Sequence, residues 1–196
     1  MPAAAQQSYR VRGSPDAAIE LTIYSDFECP FCRNFALAAM PGIVAEFADR
    51  GLVRLRYVFL PLASIHRNAV TSAKAAHCAG MAGRFWAYHD YLYVRQPEWA
   101  GPAAPDSVWI TYASNLGLDT TAFRQCLQAP DTNAAIEQDL REALGSGATG
   151  TPTIVLGERS LTGLTSYEEL RQQIVAAIEA ARGNGQPADR QPQPIP

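Results

Sequence analysis

Apolar and polar residues alternate along Ile19-Glu20-Leu21-Thr22-Ile23-Tyr24, and β-branched types are frequent there, the pattern of a strand half-buried in a sheet. From Phe31 to Arg50 the period changes. Phe35, Leu37, Met40, Ile43, Val44 and Phe47 recur at near-helical spacing, Gly51 stands where a helix would stop, and Pro41 predicts a kink. Alternation returns over Leu52 to Pro61, which predicts a second strand. Strand, helix and strand in succession make a βαβ unit, whose two strands run parallel.

Residues 64–144 read as consecutive helices, with breaks at Gly80 and Gly83, at Pro97 to Pro105, at Gly117 and at Pro130. Two short strands, Thr153 to Leu156 and Ser160 to Thr162, flank a turn at Gly157-Glu158-Arg159. A last amphipathic helix is outlined by Tyr167, Leu170, Ile174, Val175 and Ile178. From Gly183 to Pro196 the chain is rich in Pro, Gly and Gln and predicts disorder. The order is therefore βαβ, a block of helices, then ββα: an α/β protein whose sheet is interrupted by an all-helical insertion.

With 196 residues, 47% of them hydrophobic, the chain can bury one good core but not two large ones. Its net charge of −3, without a basic block, argues against nucleic acid as a partner. No stretch reaches the roughly 18 apolar residues of a membrane span, and Met1 to Gln7 lacks an apolar signal core. A soluble chain is expected, with any signal peptide or anchor lying outside it.

The chemistry is carried by sulfur. Cys29-Pro30-Phe31-Cys32 lies where the first strand ends and the helix begins, so unpaired N–H groups and the helix dipole favour a thiolate at Cys29. Pro30 is tolerated in a first helical turn because its missing N–H would have no partner there. Cys29 is the expected nucleophile and Cys32 the inward resolving thiol: a substrate thiolate opens their disulfide at Cys29, and a second releases Cys29 from the mixed disulfide. A zinc site is disfavoured, since Cys78 and Cys126 bring neither a second C-x-x-C nor a nearby histidine pair. No metal and no cofactor are expected. Asp26 and Glu28 read as solvated loop residues. His66, His77 and His89 read as packing or surface groups.

Ser25-Asp26-Phe27-Glu28-Cys29-Pro30-Phe31-Cys32, together with Gly150-Thr151-Pro152-Thr153-Ile154-Val155, resembles the thioredoxin superfamily and within it the DsbA-like branch, over about residues 19–180. The resemblance implies a thioredoxin-like domain from residues 8–62 and 147–182 and a helical insertion at 63–146, and composition adds the disordered tail at 183–196. It implies a cis-proline at Pro152, with Thr151 offering its backbone to an extended substrate beside Cys29. It also implies a disulfide between Cys78 and Cys126, as in DsbA-like proteins with a second bridge in the insertion; two buried free thiols remain the alternative. The aromatic segment Arg84 to Leu92 resembles the helix that packs the insertion in that family, which implies a core role. Two positions depart from the family. Ile23 stands where many members bury a carboxylate, and Phe31 replaces the histidine of DsbA itself, which implies a weaker oxidant.

By the same resemblance the chain is expected to work outside the cytoplasm as a monomer. Its substrates would be unfolded or newly exported proteins with thiols, and its reoxidant a membrane protein of the DsbB-like or vitamin K epoxide reductase-like kind. A disulfide isomerase or reductase is the alternative within the class. A binding module or chaperone on the same scaffold is the alternative outside it.

Overall fold

The structure, a computed structural model, describes residues 8–163 and 166–184. Five strands form one sheet in the order β1-β3-β2-β4-β5: β1 Val11–Arg12, β2 Ile19–Ser25, β3 Val53–Phe59, β4 Thr153–Leu156 and β5 Arg159–Thr162. β2 and β3 pair in parallel, from Ile19 opposite Val53 to Ser25 opposite Phe59, as the βαβ reading requires. β4 pairs antiparallel with β2, and β5 with β4 across a turn of only two residues, so Arg159 belongs to the strand. Gly157 supplies that turn's positive φ of 61°.

β2 is buried on both faces rather than one. Leu21 and Ile23 join the main core with Phe35, Ile43 and Phe47 of the following helix and with Leu170, Ile174 and Ile178 of the last one. Tyr24 points the other way, into a second cluster with Val58, Leu60 and Ala143. Alternation along β2 therefore signals two different packed layers, the position of a central strand. Each large side chain so buried contributes on the order of 1.5–3 kcal/mol.

The helix after β2 is a continuous run in four parts: α1 Pro30–Asn34, a π-helical turn Phe35–Ala39, α2 Met40–Ile43 and a second π-helical turn Val44–Ala48. The chain leaves α geometry just before Pro41, whose ring and missing N–H cannot serve a regular ladder. Between β3 and β4 come α3 Ala69–Met81, α4 Phe85–Val94, α5 Gln96–Trp99, α6 Asp106–Asn115, α7 Thr120–Gln128 and α8 Pro130–Gly145. Gly80 does not break α3. It lies inside the helix because the Tyr9 ring rests on it, where a Cβ would come within 2.2 Å of that ring. Gly83, with φ of 73°, ends the helix instead.

β1 has only two residues, too few for a pattern to reveal. The neighbouring Arg10 explains why the chain lies there. Its buried guanidinium pairs with Asp139 of α8, and Asp139 also accepts the Phe59 N–H at 2.8 Å. The final helix, α9 Tyr167–Asn184, carries on two residues into the segment expected to be disordered, and the rest of that segment lies outside the described residues.

Candidate active site

β2 delivers the chain to the cysteines at the edge of the core. Cys29 caps α1 with extended backbone (φ −69°, ψ 124°), and Pro30 opens the helix. The Cys29 sulfur thus sits over the first turn, where the Phe31 and Cys32 backbone N–H groups aim at it. Cys32, one turn on, has no exposed surface. Both are free thiols. A hydrogen bond from Cys32 is the largest influence on Cys29, and with Thr151 and the two N–H groups it outweighs burial and lowers the Cys29 thiol to a pKa of about 5. Burial pushes the Cys32 thiol well up, and the neighbouring Cys29 adds to that. One sulfur is thus held as a thiolate and the other as a thiol.

β4 brings in the opposite wall. The Thr151–Pro152 peptide is cis, as the resemblance implied, and the Cys29 thiol donates to the Thr151 carbonyl at 3.4 Å. The Thr151 hydroxyl is buried and has no other hydrogen-bond partner, which leaves it free to donate to the thiolate form. Phe31, which separates the two cysteines along the chain, has 57% of its surface exposed, an apolar side chain next to the reactive pair in sequence.

Asp26 and Glu28 are buried, not solvated. The Asp26 carboxylate accepts the Glu28 and Leu62 N–H groups at 2.9 Å each and the His66 ring at 2.8 Å. Burial raises its pKa, and these bonds work against the rise. Glu28 accepts the Asn68 backbone N–H, the Asn68 side-chain amide at 3.1 Å and the Gly101 N–H at 2.8 Å. The two carboxylates tie the cysteine loop to the loops on either side of α3 to α5, a role that only tertiary neighbours reveal.

Sequence reasoning also missed Gln96, whose amide spans the Phe27 and Cys29 carbonyls at 2.7 and 3.0 Å and holds the loop from behind. A lone glutamine beside Pro97 carries no signal for this. His89 is packed among Phe27, Tyr57, Trp86 and Tyr93, and His77 meets the Tyr9 hydroxyl, both packing roles as expected. Phe85, Tyr88 and Leu92 are core, as expected of the aromatic segment, and Tyr93 just beyond it is buried too.

Cys78 and Cys126 form a disulfide with Cα atoms 5.8 Å apart, joining α3 to α7. It belongs to the helical block, whereas Cys29, Cys32, Thr151 and Pro152 meet where β2 ends and β4 begins. Among the described residues, no group of histidines, cysteines and acids is arranged to hold a metal ion.

The sequence matches the family profile described as Thioredoxin over residues 6–176. The chain belongs to the thioredoxin family. A segment 34% identical over 172 residues, 88% of this chain, occurs in a Na⁺/H⁺ antiporter NhaA of Salinispora tropica, and the chain spans about a quarter of the length of that and the similar antiporters it matches. Disulfide bond formation protein D of Bacillus subtilis is 23% identical over 180 residues, covering 84% of this chain and 74% of that protein. Among solved structures, α-DsbA1 of Wolbachia pipientis superposes with a TM-score of 0.79 over 88% of this chain and 92% of that one, at 18% identity. At that identity the likeness is one of fold, and the fold is the DsbA-type thioredoxin fold with its helical insertion.

Proposed function

We propose that this protein is a thiol-disulfide oxidoreductase that works outside the cytoplasm, exchanging a Cys29–Cys32 disulfide with protein thiols and so forming disulfides in exported proteins. The observation that carries the reading is the unequal pair: a Cys29 thiolate held at a helix N-terminus beside a Cys32 thiol held neutral in the core. A stabilised Cys29 thiolate is a good leaving group. An incoming substrate thiolate attacks the Cys29 sulfur and the S–S bond electrons go to Cys32 in the first step; in the second, another substrate thiolate attacks the mixed disulfide and expels Cys29. Thr151 lies beside the sulfur to pair with an extended peptide, and exposed Phe31 offers that peptide an apolar contact.

The division into a thioredoxin-like domain (8–62 and 147–182) and an insertion (63–146) belongs to this reading: the first part carries the chemistry and the second walls it. A disulfide between Cys78 and Cys126 supports an oxidising compartment, where such bonds persist. Segments about one-third identical within proteins named as antiporters support a setting at a membrane. The partners would be unfolded or newly exported thiol proteins and a membrane reoxidase, DsbB-like or related to vitamin K epoxide reductase.

A Cys29 pKa of about 5 lies between the roughly 7 of thioredoxin and the roughly 3.5 of DsbA, which fits an oxidant milder than DsbA. Equilibration against glutathione tests this. A reduction potential near or above about −180 mV is expected, and one near about −270 mV overturns the oxidase reading in favour of a reductase.

A further inference from the structure

Cys32 must lose a proton whenever it attacks, yet it lies fully buried where a bare thiolate is disfavoured. Burial and the neighbouring Cys29 push its thiol up, while the backbone at Asp26 and the hydroxyl of Ser25 act the other way and favour its charged form. Ser25 does not stand alone. Its Oγ lies 2.8 Å from the Tyr93 hydroxyl, which lies 3.0 Å from the Tyr57 hydroxyl and 3.4 Å from the Asp26 carbonyl. Ser25 ends β2, Tyr57 comes from β3 and Tyr93 from α4, so three elements bring their hydroxyls together behind the cysteine loop. All three residues are buried.

We propose that Ser25, Tyr93 and Tyr57 form a hydroxyl chain that stabilises the Cys32 sulfur as it becomes a nucleophile, with Ser25 touching the reacting atom and the tyrosines positioning residues behind it. The inference rests on the exchange chemistry proposed above. Once Cys29 is bonded in the mixed disulfide and no longer takes the Cys32 S–H, Tyr93 can donate to the Asp26 carbonyl and Ser25 can accept the S–H. When the sulfur gains charge, hydroxyl rotation aligns Tyr57 to Tyr93 to Ser25 to sulfur, each donor polarising the next. Hydroxyl hydrogens rotate in place, so no side chain has to move. Burial keeps both tyrosines protonated, as the chain requires.

The step balances without an outside oxidant. Cys32–SH and Cys29–S–S–R give Cys29–S–S–Cys32 and R–SH. The bond from Cys29 to R breaks with its electron pair on the departing sulfur, which takes up the proton that Cys32 gave up. The other groups facing this region are Cys29 at the cap of α1, Asp26 with its His66 partner on the loops, and His89 on α4, whose ring meets Tyr93 edge-on and pairs with Asp90. Burial lowers the His89 pKa, and its Asp90 partner works against that.

The test is single-turnover reaction of the full, reduced chain with oxidised glutathione, which separates attack by Cys29, second order in glutathione, from release of glutathione by Cys32, first order. Ser25→Ala is expected to slow the second step about tenfold at neutral pH, with the deficit shrinking as pH rises, and to leave the first step unchanged. Tyr93→Phe should slow it less, Tyr57→Phe least, and Ser25→Thr should restore it. Neither tyrosine change should add to Ser25→Ala in the double variant. A second step in Ser25→Ala and Tyr93→Phe within twofold of the parent across pH overturns the proposal, as does equal slowing of both steps. If the parent itself forms no Cys29–Cys32 disulfide with glutathione, the exchange reading falls first.

Discussion

The two cysteine pairs occupy opposite ends of helices. Cys29 precedes the first turn of α1, where backbone N–H groups face its sulfur, whereas Cys78 and Cys126 lie in the last turns of α3 and α7, beside carbonyls. A helix N-terminus stabilises a thiolate and a C-terminus opposes one. The insertion sulfurs are therefore poor leaving groups; they border a small cavity with Phe123, Leu118 and Met81 and lie near the Thr132 hydroxyl, at 3.5 Å from Cys126 and 3.9 Å from Cys78. One pair is arranged to exchange and the other to stay bonded. The same element, placed at the other end of the same kind of helix, does the opposite work.

The largest expected effect breaks that comparison outright. Cys29→Ser should abolish exchange with a dithiol peptide, while Cys78→Ala with Cys126→Ala should retain it; exchange lost in the second variant alone would reverse the two roles. Next comes pH. A thiol whose pKa falls from about 9 to about 5 on folding stabilises the reduced protein fully above 9, progressively less as pH falls, and not at all below about 5. Because Cys32 acts oppositely at high pH, the useful window is pH 5 to 8. Denaturant unfolding should show the stability of the reduced form relative to the oxidised form declining from pH 8 to 5; a flat difference would mean that Cys29 is no thiolate.

Removing the Cys78–Cys126 bond should cost about 2–4 kcal/mol, since it closes a long loop in the unfolded chain. Glu28→Gln should cost somewhat less, about 1–3 kcal/mol, because the amide accepts with only one of its two ends and leaves a buried N–H donor short. The mildest change sharpens the comparison. Phe31→His gives Cys29 a donor, and the reduction potential should rise by about 30 mV, a tenfold shift in the exchange equilibrium.

Much of the architecture is legible in the order of residues, because periodicity reports burial. The switch from period two at β2 to near-helical spacing after Cys32 marks the strand-to-helix junction on which the chemistry depends, and the parallel β3 follows. The misreadings share one cause. Asp26 and Glu28 are charged residues in a loop, which usually means solvent, yet each finds N–H donors from segments about 36 to 73 residues away. Gly80 reads as a breaker until Tyr9 is seen lying on it. β1 is held by Arg10 and a carboxylate 129 residues along the chain.

By itself, then, the sequence determined what local chemistry dictates: strand, helix and turn periods, the C-x-x-C at a helix start, and two further cysteines on helices. The tertiary structure decided which distant groups meet. It set Thr151 against Cys29, placed Ser25, Tyr57 and Tyr93 around Cys32, joined Cys78 to Cys126 and buried two carboxylates behind the cysteine loop. The reason is physical: periodicity is a property of neighbours along the chain, whereas a buried polar group is stable only when partners from elsewhere in the fold satisfy it.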